Sequence, residues 1–367
     1  MDEQERFDHL LDELPDYVRS FFVSKNDKYQ IKTKIAYALD IKTFLKWFLD
    51  ACADKTDAKS IKEITYTDLE KLSYDDIDLY LAYLTKYKTL NKKHEIITVE
   101  NNAHGKARKL ATIRVLFKYL LRRQYITFNP VELAESPEMH ENKGIVTLSA
   151  EQQEVFLSKA YHGEGRPIIK DGQSERGAKK TIAMRQKTKY RDYAILCTLL
   201  SSGIRVSELC NIDMFDINFD EQYFVITRKG GSKSPQVYFG KLALEAIRDY
   251  IENERYVLAG YSKNDPDYLK FIDSDGPLFI TGHKDSGLKR ITPRRVQQIV
   301  KEYSAFVNAK NEKITPHTLR KTFGTELFNE YKDILLVKNA LGHSDSATTT
   351  KYYVGYNNNA LKVIKDR

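Results

Sequence analysis

Cysteine is scarce in this sequence, and features of secreted or membrane proteins are lacking. The 367 residues include three cysteines, Cys52, Cys197 and Cys210, which are scattered and form no CxxC pair. A disulfide framework or zinc knuckle is therefore not expected, and Cys197 and Cys210 lie in apolar surroundings typical of a core. The first stretch, MDEQERFDHLL, is acidic and amphipathic, unlike a signal peptide, and no apolar run reaches transmembrane length. We expect a cytoplasmic protein with no membrane partner.

Motifs for nucleotide and metal chemistry are also missing. No GxxxxGK[ST] motif suggests an ATP site, and no cluster of Asp and Glu suggests a two-metal site, so we expect no cofactor and no metal. What the sequence does have is positive charge, with a formal net charge of +8 at pH 7. This balance fits a nucleic-acid partner, and it fits a basic protein without such a partner equally well.

The length and the local patterns predict two domains joined by a linker. Residues 1–135 predict an all-helical domain, in which Ser73 begins a helix as N-cap. Residues 136–145 are polar, with a proline and a glycine, and predict the linker. Residues 146–367 predict a mainly α domain with a small antiparallel β-sheet, because QYFVITRKGGSKSPQVYF has the pattern of a β-hairpin around Gly-Gly.

Basic residues are concentrated in two places. The stretch HGKARKLATIRVLFKYLLRR predicts a helix with an apolar face and a basic face, and the basic candidates for DNA contact are Lys106, Lys109, Arg114 and Lys118. A solvated helix face explains the same pattern equally well. Residues 161–191 predict a basic loop, either solvated or clamping the DNA backbone. Further candidate DNA contacts are Lys233 and Arg294.

The stretch TPHTLRKTFGTEL has the features of a helix start that carries an anion site. Thr315 is a natural N-cap and Pro316 a natural first helical residue. His317 and Arg320 are three residues apart and therefore share one helix face, where they could bind a phosphate oxygen. A surface pair is the alternative interpretation.

A second arginine lies in the stretch SSGIRVSEL. Gly203 favours a helix break or a close backbone approach, and Arg205 and Glu208 follow it, three residues apart. The arginine could point into a cleft with the carboxylate orienting it. A surface ion pair of little energetic value is the alternative.

Two turns present further functional side chains. In TRKGGSK, Lys229 ends a strand and Lys233 lies just past the turn, where either lysine could reach a phosphate or remain solvated. In ALGHSD, Gly342 suits the residue that closes a helix, so that His343 emerges at the turn.

The stretch TTTKYYVGY contains Tyr352, Tyr353 and Tyr356, which suit either aromatic packing or a nucleophile. The preceding motifs supply two arginines, a lysine and two histidines. Without a metal, such a set could hold the non-bridging oxygens of a phosphodiester and protonate its leaving oxygen, while a tyrosine attacks.

The order and wording of GIRVSEL, TPHTLRKTFGTEL and LGHSDSATTTKYY resemble the three signature boxes of the tyrosine recombinases, the phage integrase family. The resemblance covers the chain from about residue 146, and the first domain resembles the SAM-like core-binding domain of that family. LPDYVRSFFVSK and YALDIKTFLKWFLD look closest to the single-protein Xer enzymes of streptococci and lactococci.

The resemblance implies a role for each motif residue. The nucleophile is Tyr352, because the family places its tyrosine nine residues after a His or Trp, and His343 occupies that position. The other implied residues are the arginines Arg205 and Arg320, the histidine His317, the general acid Lys229 with Lys233 as a lesser candidate, and the orienting carboxylate Glu208.

The resemblance also implies a function. The chain is expected to be a site-specific DNA recombinase that works through a 3′-phosphotyrosyl intermediate and a Holliday junction, as a homotetramer on two double-stranded DNA sites. Chromosome dimer resolution is the expected role, with the two domains forming a C-clamp around DNA at the nucleoid. The alternatives are an integrase or transposase of a mobile element, a non-catalytic DNA-binding relative, and a monomeric type IB topoisomerase-like enzyme.

Overall fold

The computed structural model describes residues 2–90, 95–138, 146–165, 179, 183, 186–227, 236–268, 271, 275–281, 288–307 and 313–342. The chain divides into two compact units, Met1–Asn142 and Lys143–Arg367, and each is described by itself. In the described residues, each unit is built mainly from helices and has one small antiparallel sheet, so the predicted fold class is confirmed.

The first unit packs its helices around the two longest ones, α3 and α6. Its helices are α1 (Glu3–Asp12), α2 (Asp16–Val23), α3 (Ile31–Ala51), α4 (Tyr66–Glu70), α5 (Tyr74–Tyr83) and α6 (Ala103–Arg122), with a 3₁₀ turn at Ala53–Lys55. The centre of the core is aromatic. Phe44 of α3 meets Tyr80 of α5 edge to face, with ring centroids 5.1 Å apart, and Phe117 of α6 at 5.9 Å. Such aromatic pairs contribute stability beyond the area that they bury.

Side-chain caps determine where several of these helices begin. Asp2, Thr65, Ser73 and Asn102 each accept a hydrogen bond from the backbone N–H three residues further on. Each cap satisfies one of the N–H groups that a helix start leaves without an internal partner. The predicted start of α5 at Ser73 is thereby confirmed.

A β-hairpin interrupts the helices of the first unit, so the prediction that residues 1–135 are all helical is wrong. β1 (Lys86–Leu90) pairs antiparallel with β2 (Ile96–Glu100), with Tyr87 opposite Val99. The physical reason lies in IITVE, a run of mostly β-branched residues without helical periodicity. The Tyr87 ring also stacks on Tyr83 of α5, with centroids 5.0 Å apart, which anchors the hairpin to the helices.

The second unit surrounds a buried apolar helix, α8. Its helices are α7 (Ala150–Tyr161), α8 (Lys189–Ser202), α9 (Val206–Asn211), α10 (Lys241–Tyr250), α11 (Tyr256–Ala259), α12 (Pro293–Ser304), α13 (Pro316–Tyr331) and α14 (Ile334–Leu341), with a π-helical turn at Ile251–Arg255 and a 3₁₀ turn at Met214–Asp216. Helices α7, α10 and α13 pack against α8. The predicted core positions Cys197 and Cys210 are buried, which raises the pKa of each thiol to about 12.

The start of α8 is capped from a distant part of the chain. Glu254 is buried and accepts hydrogen bonds from the backbone N–H groups of Tyr190 at 2.9 Å and Arg191 at 3.2 Å. Burial raises the pKa of Glu254 to about 8, although the nearby Arg191 guanidinium opposes that shift. The carboxyl group therefore caps the first N–H groups of α8, for which the N-cap side chain makes no capping hydrogen bond.

The sheet of the second unit has three short strands. β3 (Ile217–Asn218), β4 (Tyr223–Phe224) and β5 (Val237–Tyr238) lie in that order, all antiparallel. The predicted pairing of the hairpin is confirmed, since Tyr223 is opposite Tyr238. The strand β3 was not predicted, and the Gly-Gly turn lies outside the described residues.

Helix α8 ends at a glycine that the packing requires. Gly203 has φ +58°, in the left-handed region, and closes α8 before α9 begins. A Cβ at this position would lie 2.3 Å from Cδ1 of Phe323 and 2.9 Å from Cδ2 of Leu341. Both predicted reasons for this glycine, a helix break and a close approach, therefore apply.

The ends of α13 and α14 follow the predicted local signals. Thr315 caps α13 by accepting from the N–H of Thr318, and Pro316 is the first helical residue. Gly342 closes α14 with φ +60°. Among the described helices, none combines the length and the apolar character needed to cross a membrane.

Candidate active site

Arg205 and Glu208 form the first half of the site. Arg205 is the N-cap residue of α9, and its backbone N–H donates to Oε2 of Glu208 at 2.9 Å. Its Nη1 donates to Oε1 of the same carboxylate at 2.7 Å. Glu208 is buried while Arg205 is partly exposed, so the carboxylate fixes the guanidinium from the protein side.

Arg205 also contacts the end of α14. Its Nη2 donates to the backbone carbonyl of Gly342 at 3.1 Å. The last carbonyls of a helix lack internal partners and carry partial negative charge, so they attract a guanidinium. The contact ties the start of α9 to the residue that immediately precedes His343 in the chain.

Arg320 is the second arginine, and it is buried on α13. Its Nη1 donates to the carbonyl of Gly203, and its Nη2 donates to the carbonyl of Leu341. Arg205 and Arg320 therefore hold the same two parts of the chain, the α8–α9 junction and the C-terminal end of α14. Two guanidinium groups are thereby fixed near each other, although like charges repel.

His317 lies one turn before Arg320 on α13, at the protein surface. Partial burial of the ring lowers the pKa of His317, and so do the positive charges of Lys321, Arg320 and Arg205. The neutral imidazole is therefore the favoured form near neutral pH, and a neutral ring can accept a proton. A group of positive charges beside an uncharged histidine suits the binding of an anion and proton transfer beside it.

The structure thus brings together Arg205, Glu208, His317 and Arg320. Four further predicted positions lie outside the described residues: Lys229, Lys233, His343 and Tyr352. Tyr353 and Tyr356, the other two tyrosines considered, lie outside them as well. Their roles stay predictions.

One charged residue beside the site was not singled out from the sequence. Lys321 is partly buried, and its charge acts on His317 from the next turn of α13. The signal was present in the spacing, because residues i and i+4 share a helix face. In the part of the chain described, no group of three or more His, Cys, Asp or Glu side chains could hold a metal ion.

The predicted basic face of α6 needs a correction at Lys109. This lysine is buried, with Nζ 3.2 Å from Oδ1 of Asn101 and 3.9 Å from a carboxylate oxygen of the buried Asp40. The helical spacing explains the burial, since position 109 lies on one stripe with Ile113 and Leu116 of the core. The prediction that Lys109 belongs to an exposed basic face is therefore wrong.

The remaining predicted DNA contacts differ in their exposure and in their hydrogen bonds to other parts of the protein. Arg114 donates to the carbonyls of Val131 and Ala134 and to the hydroxyl of Ser136 at 3.0 Å, so it secures the segment after α6. Lys118 is exposed. Lys106 is partly exposed and donates to Oγ1 of Thr85 at 3.3 Å. Arg294, in the first turn of α12, is exposed.

Comparison with known proteins assigns this arrangement to a family. The profile described as "Phage integrase family" matches residues 176–359. The tyrosine recombinase XerS of Lactococcus lactis subsp. cremoris (strain MG1363) is 28% identical over 363 residues, covering 95% of this chain and 93% of that protein. The chain belongs to the phage integrase family, and the predicted resemblance to tyrosine recombinases is confirmed.

Solved structures show the same fold. One is the XerH site-specific recombinase bound to a palindromic difH substrate in a post-cleavage complex, with a TM-score of 0.60 and 17% identity over 88% of this chain and 76% of that one. Another is the integrase of transposon Tn1549 in complex with circular intermediate DNA, with a TM-score of 0.58 and 17% identity over 92% and 94% of the two chains. The XerH recombinase and the Tn1549 integrase thus share the fold found here.

Proposed function

We propose that this protein is a site-specific DNA recombinase that cleaves and rejoins DNA through Tyr352. The observation that carries the proposal is the pair of arginines: Arg205 contacts Gly342, and Arg320 contacts the adjacent Leu341, with His317 beside them. Two fixed guanidinium groups can bind the two non-bridging oxygens of one phosphodiester.

The reaction follows from these groups and from the residues that the family resemblance adds. The Tyr352 oxygen forms a bond to the phosphorus, and the bond from phosphorus to the 5′-oxygen breaks. His317 takes up the tyrosine proton, and Lys229 gives a proton to the leaving oxygen. Arg205 and Arg320 stabilise the added charge of the transition state. Attack by the 5′-hydroxyl of a partner strand then reverses the step and restores tyrosine.

Double-stranded DNA is the proposed partner, and the charge of the first unit supports it. The cations Lys25, Lys28 and Arg122 lie close together there. Partial burial lowers the pKa of Lys25, and the neighbouring charges of Arg122 and Lys28 lower it further. Lys118 lies one turn before Arg122 on the exposed side of α6. Crowded cations favour a polyanionic ligand, because phosphates relieve their repulsion.

The proposed biological role is chromosome dimer resolution by a homotetramer on two DNA sites. Similarity to XerS along nearly the whole of both chains supports it. A second candidate is recombination of a mobile element, and the likeness to the Tn1549 integrase supports that role to a similar degree. Both roles use the same chemistry and differ in the DNA site that is recombined.

A nicked suicide substrate tests the chemistry and the role together. The nick lies just downstream of the cleavage position, so the short 5′-hydroxyl fragment diffuses away and the protein stays joined to the 5′-labelled upstream strand. Candidate sites are taken from the host chromosome terminus and from the flanks of resident mobile elements. We expect a labelled adduct that survives denaturation with wild type and with Tyr353→Phe, and none with Tyr352→Phe.

Each other outcome has a definite meaning. An adduct that persists in Tyr352→Phe but disappears in Tyr353→Phe moves the nucleophile by one residue. Tight DNA binding without any adduct contradicts the proposed enzyme and favours a non-catalytic relative. The DNA that reacts distinguishes chromosome resolution from mobile-element recombination.

A further inference from the structure

Helix α13 is hydrogen-bonded to the segment through which the chain enters the second unit. Thr322 lies on α13 and is buried. Its Oγ1 accepts a hydrogen bond from the backbone N–H of Leu148 at 3.0 Å, across 174 positions of sequence. The same hydroxyl donates to the carbonyl of Thr318 at 3.1 Å. The hydroxyl therefore uses its single hydrogen within the helix and a lone pair outside it.

A second contact joins the same two parts of the chain. We call residues 146–149 the entry segment, because they are the first described residues after the predicted linker, residues 136–145. Gln153 of α7 donates to the carbonyl of Leu148 at 3.3 Å and also to the carboxylate of Glu326 on α13. The entry segment and α13 are thus connected at two positions of the helix.

These contacts lie on the opposite side of α13 from Arg320. Successive helix residues are rotated by about 100°, so Thr322 is about 200° from Arg320, whereas Glu326 is only about 40° from Thr322. Arg320 donates to the carbonyls of Gly203 and Leu341. The helix is therefore held from both sides, by Arg320 on the side of the active site and by Thr322 on the other side.

The hydrogen bond between Leu148 and Thr322 is buried, which makes it a strict constraint. The two residues are 5% and 1% exposed, so little water can reach the N–H group. A buried N–H group that loses its acceptor is costly, and the helix can relieve that cost by shifting towards or away from the entry segment. Such a shift of α13 would move Arg320 and His317 with it.

We propose that Thr322 is a positioning residue of the active site, whose hydroxyl group holds α13 to the entry segment and thereby keeps Arg320 and His317 at the scissile phosphate. This inference rests on the proposed function. A displacement of about 1 Å at a reacting group can lower a rate about a hundredfold. DNA affinity comes mostly from many phosphate contacts, so Thr322 should affect the rate of cleavage and not the affinity.

The first experiment measures the hydrogen bond itself and needs no activity. Exchange of the Leu148 amide hydrogen is followed by NMR in the full-length protein, in wild type, Thr322→Val and Thr322→Ser. Valine keeps the shape of threonine and removes the hydroxyl, whereas serine keeps the hydroxyl. We expect the Leu148 amide to exchange about tenfold faster or more in Thr322→Val, and within about twofold of wild type in Thr322→Ser.

The second experiment measures single-turnover cleavage of the suicide substrate at 25 °C over a range of protein concentrations. This design gives the maximal rate and the half-saturating concentration separately. In Thr322→Val the maximal rate should fall roughly fivefold to fiftyfold, while the half-saturating concentration changes less than about twofold. Thr322→Ser should restore the maximal rate to within about threefold of wild type.

Thr198→Val is the matched control for the loss of a buried hydroxyl. Thr198 is fully buried on α8, and its hydroxyl donates to the carbonyl of Ala194 at 2.7 Å, within its own helix. This variant should keep the wild-type cleavage rate. Thermal unfolding of each variant establishes that the protein measured at 25 °C is folded.

Gln153→Leu is a second test that does not depend on the folding of Thr322→Val, because Gln153 is partly exposed. The substitution removes the bond from α7 to Glu326 and leaves the hydroxyl of Thr322 in place. The maximal rate should fall about twofold to fivefold, with the half-saturating concentration again unchanged.

The outcomes separate this inference from the proposed function. If wild type forms the adduct but Thr322→Val keeps the wild-type rate or the wild-type amide exchange, the role of Thr322 is overturned and the recombinase function stands. Equal losses of rate in Thr322→Val and Thr198→Val also overturn it. If Thr322→Val does not fold, the rate of Gln153→Leu decides, and a wild-type rate overturns the inference. If wild type forms no adduct, the proposed function fails, and the inference fails with it.

Discussion

Arg205 donates a hydrogen bond to the carbonyl of Gly342 at 3.1 Å, across 137 positions of sequence. The contact connects the arginine at the start of α9 with the residue that closes α14. His343 follows Gly342 directly in the chain, and the proposed nucleophile Tyr352 is nine residues further on. Anything that shifts Arg205 should therefore affect the segment that provides two of the proposed catalytic groups.

Glu208→Gln tests whether the Glu208 carboxylate is needed to orient Arg205 for cleavage. The substitution removes the charge that holds Nη1 at 2.7 Å and weakens the hold on the backbone N–H. A hydrogen bond between charged groups is worth about 1.5–3 kcal/mol, so we expect the single-turnover cleavage rate to fall roughly tenfold to a hundredfold. DNA affinity should change less than twofold, since the guanidinium charge remains. Glu221→Gln, at an exposed position of the same unit, is the control. An unchanged cleavage rate would show that Glu208 does not orient Arg205.

Gly203→Ala tests the junction between α8 and α9. The added methyl group would collide with Phe323 and Leu341, and φ at this position is +58°. We expect a loss of about 2–4 kcal/mol in unfolding free energy, from left-handed strain together with overpacking. Gly260→Ala is the matched control, because Gly260 also has positive φ but is exposed. Calorimetry of the full chain should show the larger drop in Tm for Gly203→Ala, and equal drops would argue against the steric explanation.

Glu254 should make the stability of the second unit depend on pH. Its pKa in the folded protein is about 8, against an ordinary value of 4.5, so between these values the folded state binds more protons than the unfolded state. The stabilisation from the protonated group is fully present below pH 4.5 and is lost as the pH rises from 4.5 through 8, by about 5 kcal/mol at most. Urea unfolding of wild type and Glu254→Gln from pH 5 to 8 should show a difference that shrinks or reverses as the pH rises. A constant difference would contradict the raised pKa.

Two lysines of α6 can be compared by substitution with alanine. Lys118→Ala tests a proposed phosphate contact, and Lys109→Ala tests a core residue on the same helix. Lys118 is exposed, so its loss should weaken DNA binding and reduce the slope of log K against log salt by about 0.9. Lys109 is buried near Asp40, so its loss should lower stability and leave the salt slope unchanged. Binding isotherms at four salt concentrations and urea unfolding measure the two effects. A reduced slope in Lys109→Ala would show that this lysine reaches DNA.

Local sequence signals predicted the helix ends that build the site. The Thr315 cap, Pro316 at the first helical position and the closing Gly342 were all predicted correctly. These features are set by φ preferences and by hydrogen bonds within a few residues, so a short stretch contains the information. The pairing of Arg205 with Glu208 was predicted for the same reason.

Long-range features were predicted less well. The hairpin β1–β2 was missed because its pairing and its contact with Tyr83 depend on neighbours that a helical interpretation of residues 1–135 ignores. Lys109 was assigned to the basic face by residue type, although its position on the helix places it with the core. The distant cap from Glu254 to α8 had no local signal at all.

The sequence by itself determined the family, the order of the motifs and the starts and ends of the helices that carry them, because these depend on residue identity and short spacing. Only the tertiary structure decided which carbonyls accept hydrogen bonds from Arg320. Gly203 lies far from Arg320 along the chain, and Leu341 lies at the end of another helix. It also decided that Lys109 is buried and Lys118 exposed on the same helix, because burial depends on the surrounding fold rather than on residue type.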